Sequence, residues 1–216
     1  MNDLDLILAA AQEAGELALS AREGGLKIWS KDGGSPVTDA DLAVDALLKT
    51  ELMAARPDYG WLSEETADDP ARLTTRRQFV VDPIDGTVAF MKGKPWFAVS
   101  IAVVENGQPI AGVVHAPALD ETYSATLDGP PLLNGAPIVP SVTAELLGSA
   151  MLGDAKMFAH PAWREPWPDM RIEARNSIAY RMCLVASGAF DAAIALSPKS
   201  EWDLAAADLI LSLIHI

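Results

Sequence analysis

The chain has 216 residues, half of them apolar and 21% charged, with 16 basic against 30 acidic side chains and a formal net charge of −14. That is enough chain to bury a real core in one large domain or two small ones, and so acidic a field disfavours nucleic acid and anionic membrane as non-specific partners. Cys183 is the single cysteine, which excludes an intramolecular disulfide and suits a reducing compartment.

The N-terminal stretch MNDLDLILAAAQEAGELALSAR has no basic n-region, and acids interrupt its apolar positions, so it does not read as a signal peptide. No run of about 18 apolar residues is present, so no spanning helix is expected, and a cytoplasmic protein is predicted. Leu4, Ile7, Leu8, Ala11, Ala14 and Ala18 predict a helix over 4–20, with Asn2 and Asp3 as caps and Gly24-Gly25 as the stop. The polar loop SKDGGSP leads to a second helix from Thr38, whose apolar face is Val44, Leu47, Leu48 and Leu52 and which ends at Arg56-Pro57. YGWLSEE reads as a short strand followed by two acids. QFVVD reads as a buried strand that ends in a turn at Asp82-Pro83-Ile84-Asp85.

The run WFAVSIAVVENGQPIAGVVHAP predicts a hairpin about Asn106-Gly107, and ETYSAT with a second Asn-Gly at 134–135 extends the antiparallel sheet. Beyond Pro140 the pattern changes. SAMLG predicts a strand, NSIAYRMCLVASG a helix stopped by Gly188, FDAAIAL a strand and EWDLAAADLIL the start of a helix. The expected class is layered α/β (α+β), with an N-terminal subdomain over 1–140 and a C-terminal one over 141–216.

Four places set acids beside strand ends or helix starts: Asp41, Glu64-Glu65, Asp82 with Asp85, and Asp203. Capping explains Asp41, because Thr38-Asp39-Ala40-Asp41 has the form of a capping box. Solvation explains a Glu pair, and the helix dipole explains Asp203 in a first turn. Asp82-Pro83-Ile84-Asp85-Gly86-Thr87 is harder to dismiss. Two carboxylates and free carbonyls offer the hard oxygen ligands that suit Mg²⁺. Gly86 permits close approach of the main chain, and the amides of Gly86 and Thr87 would face an anion if they opened a helix. An aspartyl-phosphate mechanism is excluded, since Pro83 stands where its nucleophile would be, which leaves an activated water.

DPIDGT, with SPVTDAD and SEET upstream and EWDLAAADLI downstream, resembles the inositol monophosphatase superfamily of Mg²⁺-dependent, lithium-sensitive phosphomonoesterases. The motifs follow the family's order from about Lys31 to Ile210. The resemblance implies a layered αβαβα sandwich of the inositol monophosphatase/fructose-1,6-bisphosphatase type. It implies two or three Mg²⁺ ions per site, with Mn²⁺ as the alternative, held by Glu64, Asp82, the Ile84 carbonyl, Asp85 and Asp203. It also implies that Thr87, paired with Asp41 and near Glu64, orients and deprotonates the attacking water. Asp85, Gly86, Thr87 and Asp203 would contact substrate, and Lys31 falls close to a family lysine near the phosphate. Paired ions of this kind sit roughly 3.5–4 Å apart and stabilise both oxygens of an in-line displacement, which would let Asp82 and Asp85 lie together.

The expected partner is a small phosphorylated metabolite, with a homodimer as the default assembly. SPVTDADLAVD, WLSEE and PKSEWD look closer to the bacterial 3′(2′),5′-bisphosphate nucleotidase branch. The segment before Trp202 lacks the acid that inositol phosphatases place there, and Lys199 could meet a second phosphate or stay solvated. Val88 and Met91 depart from the more polar residues common after DPIDGT. These features favour 3′-phosphoadenosine 5′-phosphate, with inositol 1-phosphate as the alternative. Cys183 reads as buried packing, His115, His160 and His215 as too scattered for a metal cluster, and Trp163 and Trp167 as a surface loop. Family members continue past the Trp-Asp helix, so SLIHI reads as a truncated end. That expectation carries a further alternative, an inactive fragment that still binds metal.

Overall fold

The computed structural model describes residues 1–31 and 34–214, so His215 lies outside the described residues, as do Asp32 and Gly33 of the predicted polar loop. Helix α1 (Asp3–Gly24) begins where Asn2 accepts the Asp5 amide at 2.7 Å and stops at Gly25, whose φ of 92° breaks the helix. Strands β1 (Ile28–Ser30) and β2 (Pro36–Thr38) pair antiparallel and lead into α2 (Asp39–Ala55). Then come β3 (Gly60–Ser63), β4 (Arg77–Asp85) and the short helix α3 (Thr87–Met91). Strands β5 (Ala98–Glu105) and β6 (Gln108–Ala116) form the expected hairpin. Asn106 and Gly107, at φ 52° and 81°, supply the two left-handed residues that its tight turn needs.

Strands β7 (Glu121–Thr126), β8 (Leu132–Leu133) and β9 (Ala136–Pro137) complete a seven-stranded sheet of order β3-β4-β5-β6-β7-β8-β9, antiparallel except for β3 beside β4. A second sheet of three parallel strands has β10 (Ala150–Leu152) between β11 (Arg171–Glu173) and β12 (Ala192–Ala193). Around it lie α4 (Ala155–Phe158), α5 (Ile178–Ala186) and α6 (Glu201–Ser212).

The pleat of the large sheet divides the core in two. Phe79 and Val81 of β4 pack with Ile7, Ala14, Val44 and Leu48 of α1 and α2. Val80, one residue between them, packs on the other face with Ala179, Cys183, Ala207 and Ile210 of α5 and α6, and Leu152 of the small sheet joins that cluster. The order of layers is therefore helix pair, large sheet, helix pair, small sheet.

Two local expectations are corrected. The strand FDAAIAL shortens to Ala192–Ala193, and RIE, unassigned in the sequence, supplies β11. More consequentially, the strand through QFVVD does not end in a turn at Asp82. It runs on through Pro83 and Ile84 to Asp85, and the register slips on the way: Asp82 faces Ser100 and Asp85 faces Ala98, so three steps of β4 match two of β5. Two residues three apart on a regular strand point to opposite faces. The bulge inserts the extra residue that brings Asp82 and Asp85 to one face, while Ile84 turns into the opposite core. Pro83 is tolerated there because a bulge leaves an unpaired position in the ladder.

Candidate active site

Asp82 and Asp85 stand at the bulged end of β4, buried at 1% and 6% exposure. Asp203, in the first turn of α6, brings a third carboxylate, and one ligand oxygen from each of the three lies within 4.8 Å of the others. Burial pushes the Asp82 carboxyl well above its usual range, and the charges of Asp85, Glu64, Asp203 and Asp41 push it further. Asp85 is also raised by burial, but hydrogen bonds oppose the rise and hold it at about 6. Its Oδ2 accepts from Ser177 Oγ and the Ala179 amide, both at 2.7 Å, and its Oδ1 accepts from the Ile178 amide at 3.2 Å.

Those donors are the N-cap and first turn of α5, so Asp85 caps a helix that begins 92 residues later. Asp203 Oδ2 accepts the Ser200 amide at 2.7 Å and thereby caps its own helix. Asp41 does the same for α2: its Oδ2 takes the Thr38 amide at 2.8 Å and the Thr38 hydroxyl. Capping and site-building are thus not alternatives at Asp41 or Asp203, since one carboxylate oxygen serves each purpose. Asp41 Oδ1 faces Thr87 Oγ1 at 3.3 Å, and the same hydroxyl lies 3.2 Å from the Ile84 carbonyl. Burial raises the Asp41 carboxyl, with the Thr38 and Thr87 hydrogen bonds opposing it.

Gly86 joins this cluster to α5. Its φ of 98° favours glycine, and a Cβ there would meet the Ser177 amide nitrogen at 2.9 Å and the Trp96 carbonyl at 3.0 Å. The site lines a cavity of about 370 Å³ with Glu64, Asp82, Asp85, Gly86, Thr87 and Asp203 in its wall. Glu64 is not one of the three converging carboxylates; its Oε1 pairs with Lys31 Nζ at 2.9 Å. Among the described residues, the remaining charged ones of the wall are Arg175, Arg181 and Lys199. Arg175 is stacked 4.4 Å from the Trp96 ring, and Arg181 Nη2 is tied to the Leu152 and Ile194 carbonyls of the small sheet.

Ser177, Arg175 and Arg181 were not singled out by the sequence. A serine before an apolar run marks a helix start, but nothing local shows that the start meets Asp85. His115 and His160 lie outside the cavity wall, and Trp167 packs edge-to-face against Trp163 and Phe158 instead of lining it. Cys183 is fully buried, and burial raises its thiol far above the ordinary value, as expected of a packing residue. Among the described residues no helix is long and apolar enough to cross a membrane.

A layered α/β chain that gathers buried carboxylates at a bulged strand end, beside a paired threonine and aspartate, has the build of a metal-using hydrolase. The sequence profile of the inositol monophosphatase family matches residues 3–212. A histidinol-phosphatase of Mycobacterium tuberculosis is 38% identical, aligned over 97% of this chain and 84% of its own length. The 3′(2′),5′-bisphosphate nucleotidase CysQ of Escherichia coli O157:H7 is 30% identical, over 94% and 84% respectively. Among solved structures, the Thermotoga maritima IMPase superposes with a TM-score of 0.84 at 28% identity, over 99% of this chain and 84% of that one. The chain belongs to the inositol monophosphatase family of phosphatases.

Proposed function

We infer that the protein is a Mg²⁺-dependent phosphomonoesterase acting on a small metabolite that carries a second anionic group, with 3′-phosphoadenosine 5′-phosphate favoured. The observation that carries the substrate reading is the charge of the cavity wall. Among the described residues its acids are Glu64, Asp82, Asp85 and Asp203, all in or beside the carboxylate cluster, and the other charged residues lining it are cationic. Such a wall complements a second phosphate.

The donor set fits a hard divalent ion, since Asp82, Asp85 and Asp203 converge through carboxylate oxygens alone. They would hold Mg²⁺, with Glu64 and the Ile84 carbonyl as further ligands, and the ion would supply Lewis acidity toward the phosphoryl group and the attacking water. The chain's own part is to orient that water and take its proton. When Thr87 Oγ1 donates to Asp41 Oδ1, its lone pairs are left to accept a hydrogen bond from water. As water attacks phosphorus and the ester P–O bond breaks, the water proton passes to Thr87 Oγ1 while the Thr87 proton passes to Asp41, and the leaving oxygen takes a proton from solvent. The raised affinity of Asp41 for a proton makes it a better acceptor near neutral pH.

A second reading, histidinol phosphate, is favoured by the 38% identity to the mycobacterial histidinol-phosphatase. The test is Mg²⁺-dependent phosphate release from 3′-phosphoadenosine 5′-phosphate, histidinol phosphate and inositol 1-phosphate assayed side by side. The bisphosphate should give the highest kcat/KM. A higher value for either of the others overturns the substrate assignment. Silence on all three, from folded protein that binds the ion, removes the catalytic reading.

A further inference from the structure

Glu64 is placed to serve the carboxylate cluster yet is held out of it. It lines the same cavity as Asp82, Asp85 and Asp203. Its Oε1 is nevertheless bound by Lys31 Nζ at 2.9 Å, and the same ammonium reaches Glu65 Oε1 at 2.7 Å. We propose that Lys31 is a resident counter-ion, exchanged off Glu64 by the first divalent cation to enter the cluster, so that metal binding recruits Glu64 and leaves the lysine ammonium anchored on Glu65 alone. The inference rests on the metal-dependent reading given above.

The geometry suits an exchange. The acids crowded around the cavity need positive charge, and a monovalent ammonium covers only one edge of them. An incoming divalent ion outcompetes it for a hard carboxylate through higher charge and closer approach. The pair is half-open, with 26% of each side chain exposed, so its hold is weak and reversible. The backbone does not have to move. Lys31 N donates to Ser35 O at 2.8 Å and Gly34 N donates to Lys31 O at 2.8 Å, which fixes the hairpin end while the four-carbon stem swings.

The test is amine acetylation read by mass spectrometry on the wild-type chain, in EDTA and in saturating Mg²⁺ at matched ionic strength, with exposed Lys92 as internal reference. Labelling of Lys31 should rise by about two- to fivefold when the ion is added, the range set by a partly exposed ion pair. In EDTA, Glu65→Gln should raise Lys31 labelling by itself, because it removes one of the two anchors. Titration calorimetry of Lys31→Met should show Mg²⁺ bound about two- to fivefold more tightly than by wild type. Calorimetric binding with Lys31 labelling unchanged or reduced overturns the exchange and leaves the metal reading intact. No heat with Mg²⁺ or Mn²⁺, together with unchanged labelling, overturns both.

Discussion

Gly86→Ala tests the junction between the bulged strand and α5 with a single methyl group. Two costs add at this position. At φ 98° an alanine gives up roughly 1–2 kcal/mol to the left-handed backbone. The Cβ then meets backbone, the Ser177 nitrogen at 2.9 Å and the Trp96 carbonyl at 3.0 Å, and neither can rotate away as a side-chain tip could. Overpacking of that kind typically costs a further 1–3 kcal/mol. A chain of this size loses about 2–4 °C of Tm per kcal/mol, so a fall of about 4–20 °C is expected in thermal unfolding. Gly107→Ala is the control, because Gly107 has a similar φ of 81° and nothing within 4 Å of the added Cβ. It should lose only the backbone part, about 1–2 kcal/mol. Equal losses in the two variants would refute the close approach of Gly86 to Ser177.

Asp85→Asn should lower Mg²⁺-dependent turnover by about 100-fold or more, measured as phosphate release, since it removes a ligand carboxylate. The sequence treats Asp85 as a metal ligand and substrate contact, but the structure also makes it the cap of α5, so the variant should lose Tm as well. In EDTA the wild-type chain should be more stable at pH 5 than the Asp82 and Asp85 carboxyls allow at pH 7.5. Both are raised above the free value of 3.8, so their favourable contribution is complete below that value and is lost as pH rises through about 6 at Asp85. Asp85 alone accounts for about 3 kcal/mol at most, and Asp85→Asn should flatten the pH dependence of Tm; an unchanged slope would show that the carboxyl titrates as a free one. Cys183 should resist a thiol-exchange reagent in native protein and react fully in denaturant, whereas rapid native labelling would contradict its burial.

Most elements of the fold are legible because their signals are local. Asn106-Gly107 specifies its hairpin through two residues that tolerate positive φ, and Asn2, Thr38 and Gly25 mark helix ends by their own side chains or lack of one. DPIDGT is legible as a carboxylate site for the same reason. The bulge is not, because Pro83 looks like the end of a strand, and only pairing with Ser100 and Ala98 shows that the strand continues. The Asp85–Ser177 bond is equally hidden, since 92 residues separate its partners. Glu64 sits where its motif puts it, but its hydrogen bond to Lys31 depends on a hairpin whose strands are only three residues each. Short strands carry too little periodicity to read.

The three capping carboxylates do not belong to one side of the molecule. Asp41 caps α2, which packs against one face of the large sheet, while Asp85 and Asp203 cap α5 and α6 on the other. An ion held by Asp82, Asp85 and Asp203 would act as a rivet at the sheet edge, fastening β4, whose residues enter both hydrophobic clusters, to the helix pair α5 and α6. Its binding energy would then be distributed over the whole domain as resistance to unfolding, rising with ion concentration by mass action. Stripping the ion should loosen β4 from the α5–α6 pair, so that the melting of this protein becomes a thermometer for the occupancy of its own site.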